Sequence, residues 1–149
     1  MINETNTNVK LIDARGPRFS ALLTTFVLSA ALITGNAWLI IFQTAIFAIG
    51  AIKGPQLTPY AWIFKKLVKP RLTAEAENED CRPPQFAQRV GLGFTVVAII
   101  GYLVAPVLAT VAISFALVAA FLNAAFNFCL GCEIYLRLIR ARSGALQRA

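Results

Sequence analysis

The sequence contains no histidine. That absence excludes a Ser-His-Asp triad, a haem held by histidine and any zinc site that uses a histidine ligand. The sequence also lacks a glycine-rich phosphate loop of the Walker type. No Asp or Glu lies inside its long apolar segments, which argues against a transporter driven through carboxylates within the membrane. The chemistry that remains is that of three cysteines.

Charge is missing from two long segments, residues 19–52 and 90–132. A helix needs about 20 apolar residues to cross a bilayer, so each segment predicts a helical hairpin. Gly35-Asn36 and Ala105-Pro106 mark the turns. We therefore predict an all-α integral membrane protein that forms one domain over residues 1–149. Its four transmembrane helices, arranged as two hairpins, would lie near residues 20–34, 37–53, 87–105 and 107–129, with a cytoplasmic loop over 54–86.

The basic residues predict the orientation. All 14 Lys and Arg lie in the N-terminal tail, the central loop and the C-terminal tail. Four spans place these three segments on one side, and basic residues collect on the cytoplasmic side. We expect a multi-pass protein of the plasma membrane with both termini in the cytoplasm. The net charge of +7 then reflects this bias and anionic lipid headgroups, so we expect no nucleic-acid partner.

The central loop has the pattern of a short amphipathic helix. Thr58 can cap a helix with Pro59 in its first position, and Pro70 ends the pattern. We predict a helix over residues 59–69 that lies in the headgroup region as a connector, with docking of a partner as the alternative. The interfacial residues are Tyr60, Trp62, Phe64, Lys65, Lys66 and Lys69.

An acidic stretch follows this helix. It contains Glu75, Glu77, Glu79 and Asp80. Carboxylates can bind a metal, but an acidic run is more commonly a solvated linker. We therefore predict a solvated linker here.

A short internal repeat links the two hairpins. One opens with Arg15-Gly16-Pro17-Arg18-Phe19 and the other with Arg82-Pro83-Pro84-Gln85-Phe86. Both would begin on the cytoplasmic side. The repeat therefore indicates a parallel duplication of a hairpin.

Small residues mark one face of the fourth predicted span. Alanine recurs there every four residues from position 112 to position 124. Such a face lets helices approach closely, and asparagine side chains can hydrogen-bond across it. We predict a packing surface, with a polar cavity lined by the asparagines as the alternative. The residues of this surface are Ala116, Ala120, Asn123 and Asn127.

The sequence Cys129-Leu130-Gly131-Cys132 is the clearest candidate site. Two thiols in a Cys-x-x-Cys arrangement can cycle between dithiol and disulfide, and Cys81 could act as the resolving thiol. The same residues could instead bind a soft metal, with Cys81 as a third ligand. A third interpretation is that Cys129 and Cys132 are small packing residues.

The predicted position of this pair is unfavourable for thiol chemistry. It falls near the C-terminal end of the fourth span, where the helix dipole opposes a thiolate. A regular helix through both residues would also strain a disulfide between them. Arg137 or a loop lysine could offset the dipole, and Gly131 could relax the helix.

Three segments resemble a bacterial membrane family. They are Arg15–Phe19, residues 83–91 and residues 123–136, in which Phe-Cys-Leu-Gly-Cys-x-x-Tyr-Leu is the most specific motif. The family is the domain of unknown function number 4395, and actinobacterial members are similar. The resemblance covers about residues 10–140. It implies that the cysteine pair belongs to a family motif. Family members often accompany thioredoxin-like or sulfurtransferase proteins, so it also implies thiol or sulfur chemistry.

We therefore predict a small polytopic membrane protein with a Cys-x-x-Cys pair on its cytoplasmic side. The pair would serve thiol redox or sulfur handling with a thioredoxin-like or sulfurtransferase partner. The alternative is a non-catalytic accessory subunit that packs in a larger membrane complex. No cofactor follows from the sequence.

Overall fold

Helices make up nearly all of the described chain. The structure, a computed structural model, describes residues 11–73 and 78–148, with side chains as far as residue 144. Its elements are β1 (Leu11–Asp13), α1 (Arg15–Thr34), α2 (Ala37–Lys53), α3 (Pro59–Ile63), β2 (Asn78–Asp80), α4 (Arg82–Val104), α5 (Pro106–Phe126) and α6 (Leu130–Arg148). The all-α prediction is confirmed, apart from a ribbon of two short strands.

Three helices in the described residues are long and apolar enough to cross a membrane: α1, α4 and α5. Helix α2 is also apolar but is shorter, with 17 residues. Gly35, with φ 66°, separates α1 from α2, and Asn36 caps α2 by accepting the backbone N–H of Trp38 at 3.0 Å. Ala105 alone separates α4 from α5. Both breaks fall at residues that the sequence marks as turns.

The four apolar helices pack against one another. Helix α4 lies against α2 and α5, and α1 lies against α5. The core between them buries Leu28, Ile40 and Ile113. Where α4 meets α5, a Cβ added to Gly101 would lie 2.5 Å from the backbone nitrogen of Ala109. Only glycine permits that approach.

The two helix pairs begin in the same way. Asp13 accepts the backbone N–H of Arg15 at 3.0 Å and pairs with the Arg15 guanidinium. Asp80 accepts the backbone N–H of Arg82 at 3.0 Å and pairs with the Arg82 guanidinium. These carboxylates cap the first turns of α1 and α4, where free N–H groups favour negative charge. The short sequence repeat therefore extends upstream to an aspartate in each copy.

Strands β1 and β2 hold the N-terminal ends of α1 and α4 close together. They pair antiparallel, with Ile12 opposite Glu79 and Leu11 opposite Asp80. The prediction of a solvated linker is therefore wrong for residues 78–80, because backbone pairing with β1 orders them. Glu75 and Glu77 lie outside the described residues.

The loop helix is present and is capped as predicted. Thr58 accepts the backbone N–H of Ala61 at 3.2 Å. Helix α3 continues through a π-helical turn, Phe64–Val68, and a 3₁₀ turn, Lys69–Arg71. Its six proposed interfacial residues divide in two groups. Tyr60 and Phe64 are buried in the protein. The exposed members are Trp62, Lys65, Lys66 and Lys69.

Aromatic packing explains why Tyr60 and Phe64 turn inward. The ring of Phe64 lies 5.7 Å from the ring of Phe19 at the start of α1. Tyr60 donates a hydrogen bond to Gln43 of α2 at 2.9 Å. Helix α3 therefore packs onto α1 and α2 through its aromatic residues.

We predict that Ala112→Leu destabilises the fold by about 1–3 kcal/mol, since Ala112 is buried between helices and overpacking costs that much. The control is Val118→Leu on the same helix, where the side chain is 54% exposed and added bulk meets no neighbour. Thermal unfolding in mild detergent measures both. Equal melting temperatures would contradict the assigned core.

The capping aspartates predict a pH dependence. Hydrogen bonds from Arg15 hold the pKa of Asp13 below its usual value. Its stabilising charge is therefore fully present above about pH 4 and is lost as the pH falls through the lowered pKa. We expect Asp13→Asn to melt at a lower temperature at pH 7 and to converge with the parent protein only once the pH falls below the lowered pKa of Asp13.

Glu79→Gln is the control for Asp13→Asn. Burial and the neighbouring carboxylates raise the pKa of Glu79, so removing its charge should not destabilise the protein at pH 7. A loss of stability at pH 7 equal to that of Asp13→Asn would contradict this account of the ribbon charges.

Candidate functional site

The fourth apolar helix ends before the cysteines. Asn127 adopts a left-handed conformation, with φ 55°, and donates its N–H to the carbonyl of Asn123 at 3.1 Å. Phe128 donates to the carbonyl of Leu122 at 3.2 Å. The bond from Asn127 to Asn123 is that of the αL motif, which closes a helix at a left-handed residue, and asparagine tolerates that position. Helix α5 therefore ends at Phe126, three residues before the predicted end of the span at residue 129.

Cys129 and Cys132 start a new helix. The carbonyl of Cys129 accepts the N–H of Glu133 at 3.0 Å, and its sulfur accepts the N–H of Cys132 at 3.2 Å. The two cysteines form a disulfide, with their Cα atoms 5.2 Å apart. The prediction that the pair lies at a helix C-terminus is wrong, because the left-handed turn at Asn127 places it at the N-terminus of α6.

That position reverses the expected effect of the helix dipole on a thiolate. The free N–H groups at a helix N-terminus stabilise negative charge, including that of a thiolate. Cys129 also precedes the regular part of α6, so the disulfide does not lie within a continuous helix. Glu133 pairs with Arg137 at 3.4 Å on the exposed side of the first turns.

The start of α6 is held against α4. A Cβ added to Gly131 would lie 2.6 Å from the Cα of Ala87, so α6 reaches this position only with glycine there. One turn further on, the ring of Tyr135 lies 5.6 Å from the ring of Phe86. These contacts fix Cys129 and Cys132 relative to the long helices.

A cavity of about 230 Å³ lies beside this helix start. Residues of α1, α2, α4, α5 and α6 line it, and most of them are apolar. Cys129 is part of the lining. The disulfide therefore borders this cavity as well as the protein surface.

The residues predicted to form one packing surface are in three different environments. Ala116 is buried in the core and borders the cavity. Ala120 and Asn123 line the cavity and are half-buried. Asn127 is exposed, because the helix has ended there. The structure therefore includes a cavity that Asn123 lines, whereas Asn127 lies outside it.

A chain of hydrogen bonds leads to the cavity from the loop helix. The hydroxyl of Tyr60 donates to Oε1 of Gln43 at 2.9 Å, and Nε2 of Gln43 donates to Oγ1 of Thr24 at 3.2 Å. Thr24 lines the cavity. Burial raises the pKa of Tyr60 to about 12, so this phenol keeps its proton at neutral pH.

Gln88 supplies a second polar group. It lines the cavity from α4, and its Oε1 is buried without a hydrogen-bond partner among the described residues. Its side chain lies against Gly50 of α2, where an added Cβ would come within 2.8 Å. A buried amide without a partner costs free energy unless a ligand or a water supplies one.

Sequence reasoning did not single out Thr24, Gln43 or Gln88. The available signal was their polarity within otherwise apolar helices. Which of these three side chains lie close together depends on how α1, α2 and α4 pack. The spacing of residues along one helix does not encode that packing.

Cys81 lies apart from the cavity lining. It is a free and buried thiol immediately before α4. In the described part of the chain, no three His, Cys, Asp or Glu side chains are grouped to hold a metal ion. The structure therefore does not group Cys81 with Cys129 and Cys132 as metal ligands.

Comparison with known families gives one match. A family model described as a domain of unknown function, DUF4395, matches residues 12–140. Searches of curated proteins and of solved structures found no match. The match covers the helices, the cysteine pair and the cavity, and the chain therefore belongs to the DUF4395 family.

Proposed function

We propose that this chain is a membrane-embedded thiol–disulfide exchange protein and that Cys129 and Cys132 carry the reaction. The observation that carries the proposal is the position of the pair at the N-terminus of α6, with Cys129 as its cap. A partner with thioredoxin-like or sulfurtransferase chemistry would supply or receive the electrons or the sulfane sulfur.

The hydrogen bond between the two cysteines distinguishes their roles. The N–H of Cys132 points at the sulfur of Cys129 at 3.2 Å. A thiolate on Cys129 gains that bond and the positive end of the α6 dipole. Cys129 is therefore the attacking sulfur, and Cys132 is the resolving one.

The exchange balances without another reactant. The Cys129 thiolate attacks one sulfur of a partner disulfide, and the partner's other sulfur leaves as a thiolate. Cys132, after losing its proton, then attacks the Cys129 sulfur and displaces the first partner sulfur as a thiolate. The partner gains two electrons, and the Cys129–Cys132 disulfide forms. The reverse sequence oxidises a partner dithiol.

We propose four spans as two hairpins, with both termini and the cysteine pair on the cytoplasmic side of a bacterial plasma membrane. Support comes from contacts at one end of the helices. Arg18 donates to the carbonyl of Ala124 at 3.1 Å, and Arg89 donates to that of Ala51 at 3.4 Å. Basic residues thus gather where α2 and α5 end, and the two turns lie at the opposite ends.

We predict that Cys132→Ser traps a mixed disulfide with a cytoplasmic thiol protein, because nothing remains to resolve Cys129. Cys129→Ser should trap much less, and the double variant none. Cys81→Ser is the matched control and should behave as the parent. Non-reducing gels after acid quenching and alkylation measure each species.

Two results would count against this assignment. Equal trapping by both single variants would remove the distinction between attacking and resolving sulfur. No trapping by any variant, together with unchanged cellular phenotype, would favour the accessory-subunit interpretation in which the cysteines only pack.

The topology proposal predicts the behaviour of reporter fusions. A reporter active only outside the cytoplasm should be active when inserted at Gly35-Asn36 and silent when fused after Arg148. A second insertion at Ala105 should match the first, because both turns would face outward. Activity of the C-terminal fusion would contradict four spans with cytoplasmic termini.

A further inference from the structure

We propose that the cavity beside Cys129 binds the headgroup of a lipid-soluble quinone, which accepts electrons from the Cys129–Cys132 dithiol. This inference rests on the proposed thiol–disulfide function and adds the cofactor class. It joins three features that the exchange reaction alone does not use: the cavity, the donor chain to Thr24 and the unpartnered amide of Gln88.

The size of the cavity suits a single substituted ring. Its volume is about 230 Å³, and an apolar cavity of about 150 Å³ in another protein binds benzene. Side chains such as Ala116, Ala120 and Phe94 line much of it. A ligand that arrives from the bilayer can therefore place an apolar ring here.

The donor chain indicates a ligand that accepts hydrogen bonds. Gln43 donates its Nε2–H to the oxygen of Thr24, since its own Oε1 is occupied by the Tyr60 hydroxyl. Thr24 is thereby an acceptor in this bond, and its hydroxyl proton is left to donate. In the described residues no protein acceptor takes that proton, and Thr24 lines the cavity. A carbonyl oxygen of a ligand would complete the chain.

Two amides add to this preference. Asn123 and Gln88 line the same cavity, and each amide group carries two N–H donors. The oxygen and nitrogen of a glutamine amide exchange places by a simple flip, so Gln88 can present a donor where its unpartnered oxygen lies. A quinone has two carbonyl acceptors on opposite sides of one ring, which matches donors on separate helices.

The redox step balances with a quinone as oxidant. The thiols of Cys129 and Cys132 lose two protons and two electrons as the S–S bond forms. The quinone takes up both electrons and two protons and becomes the hydroquinone. A partner dithiol then reduces the new disulfide by exchange. Cys129 lines the cavity and Cys132 is not among its lining residues, so we assign the contact with the quinone to the Cys129 sulfur.

Decylubiquinone is the probe. The full-length protein is reduced, freed of reductant without air, and mixed with decylubiquinone in detergent or nanodiscs. We expect the Cys129–Cys132 disulfide to form with saturable kinetics, which maleimide labelling and gels measure. We also expect a stoichiometric amount of hydroquinone, which absorbance measures. Binding is measured separately with the Cys129→Ser/Cys132→Ser variant, which cannot react.

Ala120→Leu tests the cavity, and Val118→Leu is its control. The first extends a side chain into the space, whereas Val118 is exposed on the helix and does not line the cavity. We expect Ala120→Leu to lower the rate of thiol oxidation by about tenfold or more. Added to the Cys129→Ser/Cys132→Ser variant, it should lower the affinity for decylubiquinone by a similar factor. Val118→Leu should leave both unchanged.

Thr24→Val tests the donor chain, and Thr25→Val is its control. The two residues are adjacent, but the Thr25 hydroxyl donates to the Ala21 carbonyl of its own helix at 2.7 Å. Loss of one hydrogen bond should weaken decylubiquinone binding by about fivefold in Thr24→Val. Thr25→Val should bind as the parent does.

The outcomes separate this inference from the proposed function. Absence of saturable binding, or binding that Ala120→Leu and Thr24→Val leave unchanged, overturns the quinone site while partner trapping by Cys132→Ser still stands. Binding to the double variant without oxidation of the parent's thiols overturns the electron transfer. Binding, oxidation and both variant effects together support it.

Discussion

The contact between Gly131 and Ala87 is the constraint on which the site depends. Helix α6 approaches α4 so closely that a Cβ at position 131 would lie 2.6 Å from the Ala87 backbone. That approach brings Cys129 to the wall of the cavity between the long helices. A larger residue at position 131 would push the start of α6 outward, and the sulfur would leave the cavity with it. The glycine between the two cysteines therefore serves the placement of the pair.

The turn at Asn127 determines which end of a helix dipole acts on the two cysteines. A helix that continued through residue 132 would hold both cysteines at the negative end of its dipole. The left-handed residue Asn127 ends α5, so that Cys129 immediately precedes and caps a new helix, α6. The same two thiols then lie where backbone N–H groups stabilise a thiolate. One residue in a left-handed conformation thus decides whether the helix dipole stabilises or destabilises a thiolate on the pair.

Polar groups connect this site to the loop helix. Tyr60 on α3, Gln43 on α2 and Thr24 on α1 form one chain of hydrogen bonds that ends at the cavity wall. Within apolar surroundings such groups are stable only when each has a partner. The chain therefore holds α3 against the helices and fixes the direction in which Thr24 can donate. Helix α3 in the loop and Thr24 in the cavity wall are thereby connected by one hydrogen-bond chain.

The sequence by itself determined the apolar helices, their breaks at Gly35-Asn36 and Ala105, the capped helix after Thr58 and the candidacy of the cysteine pair. These features follow from runs of uncharged residues and from residue types with strong local conformational preferences, which act over a few positions along one chain. The tertiary structure alone decided the pairing of β1 with β2, the burial of Tyr60 and Phe64, the cavity and the meeting of Gln88 with Gly50. The end of α5 at Asn127 belongs to the same group, because asparagine is compatible with both a helix and a left-handed cap. Its state was decided by where α6 could pack, and a contact between residues 44 positions apart cannot be read from local spacing.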